Sequence, residues 1–195
     1  MRDDGDAMAR HPFTAFDALL AASQRGDESA FSALWRWLHP PLVRWLAVVA
    51  REDADDIASE VWLAVARNLD GFQGGDQRFA GWVFTIARRR VIDGARRRAR
   101  RPRSTPLDGL DLVDPTTTAG TSTAEDLEAT LALLRRLTPD QREVVALRVV
   151  VGMSVGQTAR VVGKSEAAVR VLCHRGLRTL ADHVDADRLA SEESA

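Results

Sequence analysis

Ser154 and Gln157 stand three residues apart just ahead of a short apolar run, and that spacing commits the chain to start a helix there. The Ser154 hydroxyl is placed to accept from the third helical N–H, and the Gln157 side chain to return to the N–H of the cap. Two donors that a helix start leaves unpaired are thereby met reciprocally. The helix runs through Thr158, Ala159 and Val162 to Gly163, which takes up the left-handed conformation that ends a helix, and Ser165 caps the next one. Two short helices joined by a tight Gly-Lys turn make a helix-turn-helix of Val151–Leu180. In its second helix, Val169, Leu172, Cys173, Gly176 and Leu180 share one side at about 100° per residue. Ala167, Arg170, Val171, His174 and Arg178 share the opposite side, with Arg175 at the flank. Small residues first and arginines beyond suit a helix whose start approaches base edges and whose remainder meets phosphates. An amphipathic hairpin with a solvated basic face would carry the same pattern.

A second box, Thr138-Pro139-Asp140-Gln141, has proline at the first helical position. Before it, Ala124 to Leu137 reads as an amphipathic helix carrying Leu127, Leu131 and Leu134. The C-terminal part is thus a domain of about four helices over 124–184, followed by an acidic tail, 185–195. Upstream, residues 102–123 are dominated by Pro, Thr, Ser, Gly and Asp, the composition of a flexible linker. The N-terminal domain, 13–101, is also helical by its periodicity, after a polar and disordered stretch, 1–12. One helix starts near Thr14 and breaks at Gly26. Another starts at Asp27, as N-cap, and is punctuated by Pro40 and Pro41. A further apolar run, Leu42–Ala50, precedes a helix over Asp53–Leu69; a loop, GFQGGDQRF, then leads to a helix from Ala80 to Arg101. The fold class expected is all-α, two helical domains joined by a flexible linker.

The formal net charge of −1 conceals an uneven distribution. Residues 1–87 carry 8 Arg against 13 acids, whereas Arg88–Arg103 holds 9 Arg and one Asp. This concentrated cation adjoins Phe72, Phe79, Trp82 and Phe84. Arginines attract a polyphosphate backbone through counterion release and aromatic faces hold unstacked bases, which together suit opened DNA. Phe84 and Trp82 also fit a packing role. In the helix Asp53–Leu69, Ile57, Val61, Ala64 and Val65 form one side, and Asp56, Ser59, Glu60, Leu63 and Arg67 the other. A leucine among carboxylates reads as a protein-docking surface or as a solvated face with a stray leucine.

Several function classes are set aside. His11, His39, His174 and His183 are scattered without nucleophile, base or metal-ligand spacing, so neither an enzyme nor a metal site is expected, and no cofactor. Cys173 is alone and on the apolar side of its helix, a small core residue. No apolar run approaches a membrane span and no signal-peptide pattern opens the chain, so no membrane insertion and a cytoplasmic location are expected.

Taken in order, these segments resemble a bacterial RNA polymerase sigma factor of the extracytoplasmic-function type, group IV. DADDIASEVWLAVARNLDGF resembles region 2.2, FQGGDQRFAGWVFTIARRRVIDGARRR resembles regions 2.3 and 2.4, and LRRLTPDQREVVALRVVVGMSVGQTARVVGKSEAAVRVLCHRGLRTL resembles region 4. The resemblance implies a factor that binds core RNA polymerase (beta and beta-prime subunits) and directs initiation at promoter DNA under control of an anti-sigma factor. It implies that Asp56, Ser59, Glu60 and Leu63 dock on the beta-prime coiled coil. Gly74, Gly75, Asp76, Gln77 and Arg78 would lie near a flipped base of the minus 10 element, with Arg88, Arg89 and Arg90 near its backbone. Lys164, Ser165, Glu166, Ala167, Arg170, His174 and Arg175 would read the minus 35 element. The chain departs from the family where Ser59 replaces the usual Gln, Arg89 an Asn, and Gln157-Thr158 a Glu followed by an aliphatic residue. A stand-alone helix-turn-helix regulator of duplex DNA is the alternative reading.

Overall fold

The structure, a computed structural model, describes residues 15–100 and 124–193. The segments read as a disordered N-terminus, 1–12, and a linker, 102–123, lie outside the described residues. Among those described there is no strand, and the chain forms eight α-helices: α1 (Phe16–Gln24), α2 (Glu28–Val49), α3 (Ala54–Asn68), α4 (Asp76–Arg100), α5 (Ala124–Arg135), α6 (Pro139–Val145), α7 (Val155–Val162) and α8 (Glu166–Glu193).

Gly26, at φ 88°, turns the chain between α1 and α2, a left-handed backbone that glycine adopts without steric cost. Asp27 then caps α2 by accepting from the N–H groups of Ser29 (2.9 Å) and Ala30 (3.1 Å). The Ser29 hydroxyl also donates to it, and these bonds hold its carboxyl below the ordinary aspartate range. The expected interruption at Pro40 and Pro41 is corrected by the structure, because α2 continues through both. A proline inside a helix costs about 3 kcal/mol. Against that, Leu34, Leu38, Leu42, Trp45 and Leu46 on the same helix are fully buried, each worth about 1.5–3 kcal/mol. Burial on both sides of the prolines outweighs the local penalty. His39, just before them, stacks on Trp35 with centroids 4.2 Å apart, and burial pushes its pKa down.

The start of α4 is also earlier than Ala80. Asp76, Gln77 and Arg78 belong to its first turn, and the N–H of Phe79 donates to the Gly75 carbonyl at 2.9 Å. Phe79 explains why: it is fully buried and meets Phe16, Trp37, Phe72 and Trp82, with centroids 5.3–6.5 Å apart. An aromatic cluster of that kind anchors the first turn, and Asp76 suits the positive end of the helix dipole.

In the C-terminal part both capping boxes form. Thr138 N–H donates to Gln141 Oε1 (3.1 Å) and Gln141 N–H to Thr138 Oγ1 (3.4 Å). Ser154 N–H donates to Gln157 Oε1 (2.7 Å) and Gln157 N–H to Ser154 Oγ (3.2 Å). The Arg142 guanidinium donates to the carbonyls of Leu134, Arg135 and Leu137, closing the open end of α5. A π-helical turn, Ala146–Val150, follows α6. Gly163 sits at φ 67°, ψ 35°, and Ser165 Oγ accepts from the N–H of Ala168 (3.2 Å) at the start of α8. At Gly176, α8 crosses α6 so closely that a Cβ there would stand 2.8 Å from Val145 Cγ2. The segment read as an acidic tail continues α8 to Glu193, since no Gly or Pro interrupts Asp185–Glu193.

The two halves share one apolar core. α7 packs on α4, and α2 meets α5, α6 and the π-helical turn. Six of the eight residues of α7 are buried, among them Gln157 and Thr158. Gln157 uses its carbonyl oxygen in the capping box, so it fills the place of the family's Glu without burying a charge. Thr158 is fully buried and its hydroxyl has no hydrogen-bond partner. Replacing it with the near-isosteric Val removes a buried, unsatisfied hydroxyl, so Thr158→Val is expected to stabilise the protein by about 1 kcal/mol. Thermal or urea unfolding followed by circular dichroism checks this; a lower midpoint would show that the hydroxyl finds a partner.

Candidate nucleic-acid interface

Three surfaces expected from the sequence can be located. Asp56, Ser59, Glu60 and Leu63 are all exposed on one side of α3, while Ile57, Val61 and Val65 are buried on the other. Leu63 keeps 56% of its surface exposed. Two acids near this face also meet α4: Glu60 lies 3.6 Å from Arg90, and Asp53 pairs with Arg98. The basic helix is therefore partly neutralised by its neighbour.

Beside the C-terminal end of α3, a cleft of about 430 Å³ opens between Asn68, Gly71, Phe72, Gln73, Arg78 and Trp82. Its floor is held from below. Gln24, on α1, donates to the carbonyls of Leu69 and Phe72, both at 2.9 Å, and fixes the loop that carries the opening. Asn68 is steadied by a bond to the Ala64 carbonyl at 2.7 Å. Gly74 adopts φ 141°, and a Cβ there would stand 2.6 Å from Arg78 Cδ, so glycine lets the Arg78 side chain fold over the loop. Arg78 lines the cleft. Gly74, Gly75, Asp76 and Gln77 flank it in sequence, at the loop and the first turn of α4. Trp82 and Phe72 pack with ring centroids 5.0 Å apart and planes tilted by 32°, and are only partly buried, whereas Phe84 is core. Asn68 as a cleft wall escaped the sequence reading, which named Phe72 and Trp82 among four aromatics able to hold bases but did not show which of the four stayed open.

Arg88, Arg89 and Arg90 do not act as one patch. Arg89 is exposed and Arg90 faces Glu60, but Arg88 makes a two-pronged pair with Glu143 of α6, Nε to Oε1 at 2.7 Å and Nη2 to Oε2 at 3.3 Å. The side chains keep only 26% and 15% of their surfaces exposed. In this arrangement Arg88 joins the two halves of the molecule.

On α8, Ala167, Arg170, His174 and Arg175 are exposed, as are Ser165 and Glu166 at its start. Glu166 pairs with Arg170 (2.9 Å), and Lys164 with Asp140 (2.9 Å). Val169 and Gly176 are buried on the opposite side. Cys173 is half-buried there; burial pushes its thiol up, partly offset by Arg148, so a thiolate is disfavoured. Val171 and Arg178, exposed on the outer side, share the face with the residues assigned by resemblance.

Residues 34–101 match the family Sigma-70 region 2 and residues 127–180 match Sigma-70 region 4. The chain is 35% identical over 167 residues to the ECF RNA polymerase sigma factor BldN of Streptomyces coelicolor, an alignment covering 84% of this chain and 63% of that protein. It is 34% identical over 177 residues to the ECF RNA polymerase sigma factor SigD of Mycobacterium tuberculosis, covering 86% of this chain and 83% of the relative. The chain belongs to the ECF sigma factor family. CnrH, solved in complex with the cytosolic domain of CnrY, superposes with a TM-score of 0.65 at 26% identity, covering 89% of this chain and 99% of that one.

In sigma-factor terms, region 2 spans from α2 to α4 and region 4 from α5 into α8, and the Arg88–Glu143 pair bridges the two regions. Among the described residues, no helix is long and apolar enough to cross a membrane. A partly buried, two-pronged pair should show coupling of about 1 kcal/mol in a double-mutant cycle of Arg88→Ala and Glu143→Ala, read by urea unfolding. Additive single-mutant effects would mean that the pair does not hold the regions together.

Proposed function

We propose that this ECF sigma factor binds core RNA polymerase through the exposed side of α3 and directs it to promoters with two recognition elements. Asp56, Ser59, Glu60 and Leu63 form the docking surface for the beta-prime subunit. Leu63 supplies the apolar centre and the carboxylates a rim that steers association. The cleft of Asn68, Phe72, Arg78 and Trp82 takes an unstacked base of the minus 10 element on the displaced strand, and Gly74, Gly75, Asp76 and Gln77 shape its rim. Arg89 and Arg90, with Arg88 once released, follow the backbone. Lys164, Ser165, Glu166, Ala167, Arg170, His174 and Arg175 read the minus 35 element in the major groove. No step calls for a catalytic residue, and strand opening is driven by binding energy for the unstacked base.

The observation that carries this reading is the cleft. It combines aromatic faces, a cation and amide groups at the head of a helix whose other end is a run of arginines, an arrangement suited to a single strand rather than a duplex. The contact between regions adds a regulatory step. With α7 against α4 and Arg88 held by Glu143, regions 2 and 4 are held together, and on this reading engaging both promoter elements along DNA requires them to part. An anti-sigma factor that stabilises the closed form, or covers α3, would hold the protein inactive.

Purified protein with core polymerase should initiate at mapped start sites, whereas the protein alone should bind the same duplex weakly. Leu63→Ala should reduce affinity for core polymerase about tenfold with unchanged helical content. Tight specific duplex binding without polymerase, and no initiation with it, would instead favour a stand-alone regulator.

A further inference from the structure

In its first two turns, the outer side of α8 is not centred on an arginine. Taking fully buried Val169 as the inward direction, at about 100° per residue Arg178 points about 180° away, Val171 about 200°, Ala167 about 160° and His174 about 140°. Arg170 is only about 100° around and Glu166 about 60°, so these two stand on a flank, where they pair with each other at 2.9 Å. Arg178 lies two turns further along, so in the N-terminal turns of α8 the large side chain nearest the outward direction is a branched apolar one, Val171, with 47% of its surface exposed. The other large exposed apolar residues of this half, among those described, lie elsewhere: Val149 is on the π-helical turn, and Leu177 and Val184 are about 80° and 60° from Val169 on α8.

A lone apolar residue on a surface is ordinary. Its position here is what matters. Ala167 precedes it on the same side and Ala168 adjoins that position, both too small to hold the helix away from what it meets. Behind it, the close crossing at Gly176 prevents α8 from rolling to hide the valine. In a major groove the one apolar feature of a base edge is the C5-methyl of thymine, and an apolar side chain without hydrogen-bonding groups distinguishes bases only through it.

We propose that Val171 is a specificity-determining residue that selects thymine at one position of the minus 35 element by contact with its methyl group. The inference rests on the reading of α8 as the minus 35 helix. Selection by Val171 is steric and apolar, separate from hydrogen bonding by the Glu166–Arg170 pair at its flank.

The test uses the full chain with core polymerase and its mapped promoter, in which each thymine of the minus 35 element, on either strand, is replaced singly by deoxyuridine. That change removes one methyl group and keeps every hydrogen-bonding group. At one position wild-type holoenzyme should lose about fourfold in open-complex formation, the worth of one buried methyl group. Val171→Ala should be insensitive at that position, and Val171→Thr, which keeps a methyl group, should remain sensitive. A minus 35 element in which no thymine methyl matters, or a Val171→Ala holoenzyme with undiminished sensitivity, would overturn the proposal. Initiation that ignores a scrambled minus 35 element would overturn the parent reading of α8, and this proposal with it. Circular dichroism of each variant separates these outcomes from misfolding.

Discussion

The burial of α7 is the contact on which the arrangement of the molecule depends. A helix of eight residues does not persist alone in water, so it must be fixed by what surrounds it. Here α4 lies against one side of it and α6 and α8 lie against others. Its capping box and the left-handed Gly163 define where it begins and ends, but the apolar neighbours make it stable. The same helix thus serves both as the first helix of the helix-turn-helix and as the joint to region 2. A tight joint and a well-formed helix-turn-helix are coupled, because they draw on the same buried residues.

Electrostatics around α4 follow partly from that joint and partly from α3. The sequence presents Arg88–Arg103 as a block of cations, yet the folded chain pairs some of them with acids: Arg88 with Glu143, Arg90 with Glu60, Arg98 with Asp53. Each exposed pair contributes little, on the order of 0–1 kcal/mol. Their effect is to lower the field that a polyanion would meet, and only the Arg88–Glu143 share of it depends on the regions staying together. Partnering α3 acids with α4 arginines also couples the proposed docking side to the proposed DNA side, so on that reading occupancy of either alters the charge seen by the other.

What could be read from the residues is what is written in local chemistry. Both capping boxes, Asp27 as a cap, Gly26 as a break and Gly163 as a stop appear where short-range hydrogen bonding demands them. The exposed side of α3 was legible too, because a period of 3.6 separates Ile57, Val61 and Val65 from Glu60 and Leu63. The misplaced boundaries share a cause. At Pro40–Pro41 and at Asp76, tertiary burial of Leu38, Leu42 and Phe79 outweighed local signals that a window of sequence reports faithfully. Partners such as Glu143 for Arg88, 55 residues away, leave no trace in periodicity, and neither does the difference between Phe84, sealed in the core, and Trp82, open to the cleft.

The close crossing at Gly176 has a consequence for how such a protein can diverge. With no side chain between α8 and α6, the recognition helix is keyed to its scaffold in both depth and rotation. Residues on its outer side can then be exchanged without altering how the helix is seated. If α8 reads DNA as proposed, the preferred sequence can be retuned one outward residue at a time, while the inward register, and with it the fold, stays constant.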